Sequence, residues 1–143
     1  MQRGIDYVGV AVVYFCHDGK GNVLFSKRGK NCRDEHGAWD IGGGGVEFGD
    51  KIFYTLQKEI AEEYCTKILE SEFLGYREII DKHMGKDRHY IAFDFKVLVD
   101  RKKVKNGEPH KFDAVEWFTL EKMPYPQHSQ MTIFLEKYKN KLS

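Results

Sequence analysis

The sequence predicts an α/β domain, a mixed β-sheet covered by two helices. Runs rich in Val and aromatic residues recur along the chain, each bounded by turn formers. Two other stretches repeat their apolar residues at helical spacing, and four glycines, Gly42 to Gly45, stand directly before the first of them.

With 143 residues, the chain is read as one domain spanning 1–143, long enough to bury a core. Lys and Arg number 23 against 22 Asp and Glu, so no charge excess draws the protein to nucleic acid or to an anionic membrane. A small-molecule substrate is the expectation. The apolar run "VGVAVVYF" is too short to span a bilayer, and it leads into "CHDGK" without a cleavage pattern, so it reads as a buried strand. Cys16, Cys32 and Cys65 are odd in number and far apart, which favours reduced thiols in a cytoplasmic protein over a disulfide framework or zinc knuckle. A monomer or homodimer is expected.

Each element follows from local pattern. Residues 7–15 and "VLFSKR" flank the turn formers "HDGKGN", which makes a hairpin. "GKNCRDEHGAWD" is polar and bracketed by Gly, a surface loop that returns Trp39 and Ile41 to the core. The glycines read as a loop whose backbone can approach a ligand closely. From Asp50, a plausible N-cap, to Cys65, the apolar residues Phe53, Leu56, Ile60 and Tyr64 give helical periodicity. "FLGYREII" and "HYIAFDFKVLV" read as a long hairpin, "RKKVKNGEPHK" as a basic loop and "AVEWFTL" as a further strand. "MPYPQ" breaks the chain before a last helix with Met131, Phe134, Leu135 and Tyr138 on one face.

The first helix crowds Glu59, Glu62 and Glu63 together, where like charges repel. At 100° per residue with Phe53 at zero, the apolar stripe centres near about −15°. Glu63 then lies roughly 65° from it, Glu59 about 105° and Glu62 about 165°. Glu62 points to solvent, whereas Glu59 and Glu63 border the buried stripe one turn apart. Two carboxylates at that spacing raise each other's pKa unless a cation joins them, and Mg2+ favours a few carboxylate oxygens beside water and phosphate. "KEIAEE" alone is equally the mark of a solvated helix, with Lys58 pairing Glu62; the glycines ahead of it at fixed spacing tip the balance.

The stretch resembles the Nudix box, G-x5-E-x7-R-E-U-x-E-E-x-G-U with U apolar. Gly44 takes the first Gly, Asp50 the first Glu, Lys58 the Arg, Glu59 the next Glu, Ile60 the apolar residue, and Glu62 and Glu63 the paired acids. "HGAWDIGGG" and "EWFTLEKMP" resemble the flanks of the box, so the likeness covers most of the chain. It implies a Nudix fold, a mixed sheet packed between helices in an α/β/α sandwich, and a MutT-like nucleotide pyrophosphohydrolase. It further implies Mg2+, with Mn2+ able to substitute, held by Glu59 and Glu63, by Glu62 through water and by the Gly43 carbonyl. Glu59 is the implied base and Lys58 the catalytic-site cation. Arg28, Gly44 and Gln127 are the implied substrate contacts, His128 stands beside Gln127, and Asp113 or Glu116 is a candidate further acid. A sugar nucleotide, dinucleotide polyphosphate or isoprenyl diphosphate is the alternative substrate, and a nucleotide-binding sensor the alternative class.

Three positions depart from the pattern. Asp50 is one methylene short, Lys58 replaces a guanidinium fork with a point charge, and Cys65 replaces the Gly that ends the helix. None removes an expected metal ligand.

Overall fold

The computed structural model describes residues 1–143. Seven strands form one mixed sheet: β1 (Gly9–His17), β2 (Asn22–Arg28), β3 (Trp39–Asp40), β4 (Gly42–Gly45), β5 (Glu70–His83), β6 (Lys86–Leu98) and β7 (Phe112–Thr119). Helix α1 (Ile52–Tyr64) follows β4, and α2 (Met131–Tyr138) closes the chain. The sheet runs β3-β2-β1-β6-β5, with β4 added to β1 and β7 to β2. Only β1 and β6 pair in parallel.

Strand alternation sorts the core into two layers. Val12, Tyr14 and Cys16 of β1, with Leu24 and Val97, face Leu56, Ile60 and Tyr64 of α1. Phe15, Val23 and Phe25 face the other way, onto Met131, Phe134 and Tyr138 of α2. The expected sandwich is therefore the observed one. No helix is long and apolar enough to cross a membrane.

Local details depart from the sequence reading. The glycine run is a strand: Gly42 to Gly45 pair antiparallel with Tyr14 to Ala11. Strand signals come from side chains, and glycines have none to show. Helix α1 begins at Ile52 after Lys51 and receives no side-chain cap, so Asp50 is not its N-cap. Phe53 is 46% exposed, because the buried stripe is rotated toward Thr55, Leu56, Ile60 and Glu63. The β5–β6 hairpin extends through the polar "DKHMGKDR" to a two-residue turn at Met84 and Gly85, both at positive φ.

The end of α1 positions the site. Cys65 takes the left-handed conformation at φ 57 and donates its N–H to Ala61 O, doing the work usually left to Gly. Two more carbonyls at this end accept from the following loop: Tyr64 O from Lys105 N at 3.1 Å and Glu63 O from Gly107 N at 2.9 Å. A Cβ on Gly107 would overlap the Glu62 carbonyl oxygen, so this close approach requires glycine. The basic loop is thereby stitched to the helix that carries the glutamates.

Candidate active site

Strand β4 is the floor of the site and the edge of α1 its wall. A Cβ on Gly44 would stand 2.6 Å from Glu59 Oε2, so the glycine lets this carboxylate lie flat on the strand. Glu63 is 1% exposed, Glu59 is half-buried and Glu62 is exposed. This is the order given by helical arithmetic, although Glu63 lies deeper because the true stripe is rotated toward it.

Glu63 Oε1 accepts a hydrogen bond from the buried Tyr14 hydroxyl, and Lys111 Nζ stands 3.9 Å from Oε2. Burial pushes the Glu63 carboxyl up to about 8, against the opposing pull of Tyr14 and Lys111. Glu59 is also raised, by burial first and by the charge of Glu62 next. The negative charge of Glu108 pushes both carboxyls further up. Three acids thus converge where only Lys111 and Lys58 supply compensating charge. All the donors are oxygens, a set that suits a hard divalent cation.

A cavity of about 250 Å3 opens beside these acids, running from Glu63 and β4 to Arg77, Gln130 and Phe134. A second cavity of about 320 Å3 continues it toward the β5–β6 hairpin, the two sharing Arg28, Gly44, Lys111, His128 and Gln130. Asp40 borders the first cavity, its carboxyl raised by burial although His128 and Arg28 oppose the shift.

A sequence model described as the NUDIX domain matches residues 7–138. The chain belongs to the NUDIX family. Its fold is similar to a MutT Nudix hydrolase from Burkholderia pseudomallei, at 24% identity, with 92% of this chain and 98% of that one covered and a TM-score of 0.80. A MutT protein from Methanosarcina mazei Go1 is similar at 23% identity, 93% and 94% coverage and a TM-score of 0.72. The NUDIX domain of Shewanella oneidensis NrtR, crystallised with ADP ribose, follows at 16% identity, 100% and 91% coverage and a TM-score of 0.74.

Within this Nudix hydrolase domain the other expected site residues are dispersed. Lys58 reaches Asp50 Oδ2 at 3.8 Å instead of Glu62, and borders neither cavity, so it tethers the loop ahead of α1. Arg28 borders both cavities, but its guanidinium is engaged by the Asp34 carboxylate at 3.0 Å and lies 3.8 Å from Asp40. Gln127 lies apart from both: its backbone bridges Trp39, and its amide meets Met123 Sδ at 3.9 Å. Its neighbours His128 and Gln130 line the cavity instead. Asp113 and Glu116 are exposed on β7, and the acid that bears on the box glutamates is Glu108. Trp39 packs edge-on against Phe118, in the core as expected, and Trp117 packs on the α1 core.

Sequence reasoning missed Tyr14, Glu108, Lys111 and Gln130. "EPHK" contains the second and third, but only the pinning of the loop to the end of α1 brings them to the site. A separate group, Asp34, Glu35 and His128, could hold a metal by its spacing, with ligand atoms within 4.8 Å of one another. These acids are already partnered. Asp34 meets Arg28, Arg88 and His83, and Glu35 accepts from Ser129 and faces His128. The group straps the 29–38 loop to the segment just ahead of α2 and to the β5–β6 hairpin.

Proposed function

We propose that this single domain is a Mg2+-dependent pyrophosphohydrolase that cleaves a nucleoside triphosphate, or a related nucleoside diphosphate linked to a group X, to a monophosphate and pyrophosphate or X-phosphate. The observation that carries this reading is the set of converging acids: Glu63 buried, Glu59 laid on Gly44, and Glu108 brought over by the loop. Glu59 and Glu63 would hold the cation directly, Glu62 from its exposed position through water, and the Gly43 carbonyl is a further oxygen on the floor. Bound there, Mg2+ or Mn2+ would supply charge neutralisation on the phosphates and a lowered pKa for a bound water.

The chain's own residues complete the chemistry. Glu59, half-buried at the edge of α1 and laid against Gly44, is the box carboxylate assigned to accept the proton of an attacking water. Lys111 places its ammonium at the boundary of acids and cavity, where a phosphate oxygen would meet it. Gly44 borders both cavities, and its missing side chain leaves the space over β4 to the Glu59 carboxylate, which is thereby held at the substrate's edge. Arg28 fixes the loop around the mouth through Asp34 and Asp40.

Pyrophosphate release from a panel of nucleotides, with Mg2+ and with chelator, tests the proposal. Release from at least one triphosphate that stops with chelator supports it, and no cleavage of any member, with nucleotide products read as well as pyrophosphate, overturns it in favour of a sensor. A diphosphate with a larger X group is the second reading. It is favoured by the 320 Å3 cavity that prolongs the first, and by the ADP-ribose complex of the NrtR neighbour. Including ADP-ribose and a dinucleotide polyphosphate in the panel, with the nucleotide products read directly because neither compound releases pyrophosphate, decides between the two.

A further inference from the structure

Glu63 is gripped by more than its own helix. The Tyr14 ring from β1 lies fully buried against β4, and a Cβ on Gly42 would overlap it, so the first glycine of the run makes room for this phenol. On its other side Tyr64, the next residue of α1, meets the ring edge-on at 5.9 Å between centroids. Tyr64 is itself anchored, its hydroxyl 3.3 Å from Ser26 Oγ on β2. Clamped between strand and helix, the Tyr14 hydroxyl donates to Glu63 Oε1. Oε2, 3.9 Å from Lys111 Nζ, is the oxygen left without a hydrogen bond, and Glu63 lines the cavity.

The two oxygens of this carboxylate are therefore unequal. A buried phenol without a partner is costly, so releasing Oε1 would cost the Tyr14 bond as well as the turn of the carboxyl. Ca2+ takes six to eight oxygens and often both from one carboxylate, whereas Mg2+ demands near-octahedral geometry. We infer that Tyr14 is a positioning residue that makes Glu63 a one-oxygen ligand and so biases this site toward Mg2+ and Mn2+ over Ca2+. The inference rests on the proposal that Glu63 takes a divalent cation.

Tyr14→Phe keeps the ring and removes the hydroxyl. Calorimetric titration of the parent, Tyr14→Phe and Glu63→Gln with Mg2+, Mn2+ and Ca2+, in the absence of nucleotide, separates the possibilities. In Tyr14→Phe the Mg2+ and Mn2+ dissociation constants should rise about ten-fold, the usual cost of losing a partner behind a ligand. The Ca2+ constant should rise less or fall, so that selectivity narrows. Equal shifts for all three cations, or no shift, would overturn the positioning role. Glu63→Gln binding every cation as the parent does would instead remove the underlying assignment of Glu63. Gly42→Ala, which presses on the ring and keeps the hydroxyl, should narrow selectivity in the same direction; unchanged selectivity there would count against the clamp.

Discussion

Two buried carboxylates sit on opposite faces of the same sheet, and their surroundings differ. Asp94, at 0% exposure on β6, accepts from Arg77 Nε at 2.7 Å and Nη2 at 2.9 Å and from the Tyr138 hydroxyl at 2.6 Å. Arg77 packs over the Phe134 ring and spends its remaining contact on Gln130 Oε1. Charge and hydrogen bonds close there, leaving nothing for a ligand to add. Glu63, buried just as deeply, has one phenol, one ammonium at 3.9 Å, and the charges of two further acids working against it. Burial alone does not separate a structural charge from a functional one; the balance of partners does. An under-compensated acid is what a cation site looks like from the protein's side.

The contrast breaks most sharply under amide substitution. Glu63→Gln and Glu59→Gln should each remove about 3 kcal/mol or more of transition-state stabilisation, with Glu62→Gln losing less because its side chain is solvated. Measured kcat/KM at saturating Mg2+ checks the order, and equal losses at all three would mean that the edge of α1 is not what faces the substrate. The metal-free stability of Glu63→Gln should match or exceed the parent's, since the carboxyl it replaces is already poorly stabilised as an anion.

Asp94→Ala should do the reverse. Leaving Arg77 buried without its partner should cost about 3–5 kcal/mol in chemical denaturation. The Mg2+ dissociation constant, measured on the folded protein, should stay at the parent's value; a large change would show that the two centres are coupled through the sheet.

A pH titration sharpens the same difference. The folded pKa of Glu63 is raised, so between about 4.5 and 8 the native state holds a proton that the unfolded chain has released. Fewer protons bound in the unfolded state means that stability falls as pH rises through this window, by up to a few kcal/mol. Thermal midpoints in chelator should therefore decline from pH 5 to 8, and Glu63→Gln should flatten the profile. Added Mg2+ should compete with the proton and bind more tightly as pH rises.

Lys58 carries the smallest expected effect. Its 3.8 Å contact with Asp50 holds the loop ahead of α1, and a guanidinium could grip the same carboxylate with two bonds. Lys58→Arg should raise kcat by about 1 kcal/mol or less in barrier and leave nucleotide preference unchanged. Lys58→Ala should lower activity and the thermal midpoint together, and a fully active Lys58→Ala would make the contact incidental.

The sequence by itself determined the class of fold, both helices, most strands and the box, because these rest on local periodicity that each residue carries with it. Glu62 facing out, with Glu59 and Glu63 at the margin of the buried stripe, followed from helical rotation alone, whereas the full burial of Glu63 did not. Only the tertiary structure decided what meets those acids. Tyr14 lies 49 residues from Glu63, Arg77 17 from Asp94 and Tyr138 44 from Asp94, and no local pattern encodes such pairings. The strand character of Gly42 to Gly45 depended on β1 offering its edge, since glycines lack the side chains that announce a strand. Glu108 and Lys111 reached the site because backbone carbonyls left open at the end of α1 took donors from their loop, a demand that every helix end makes but whose partner only the folded chain supplies.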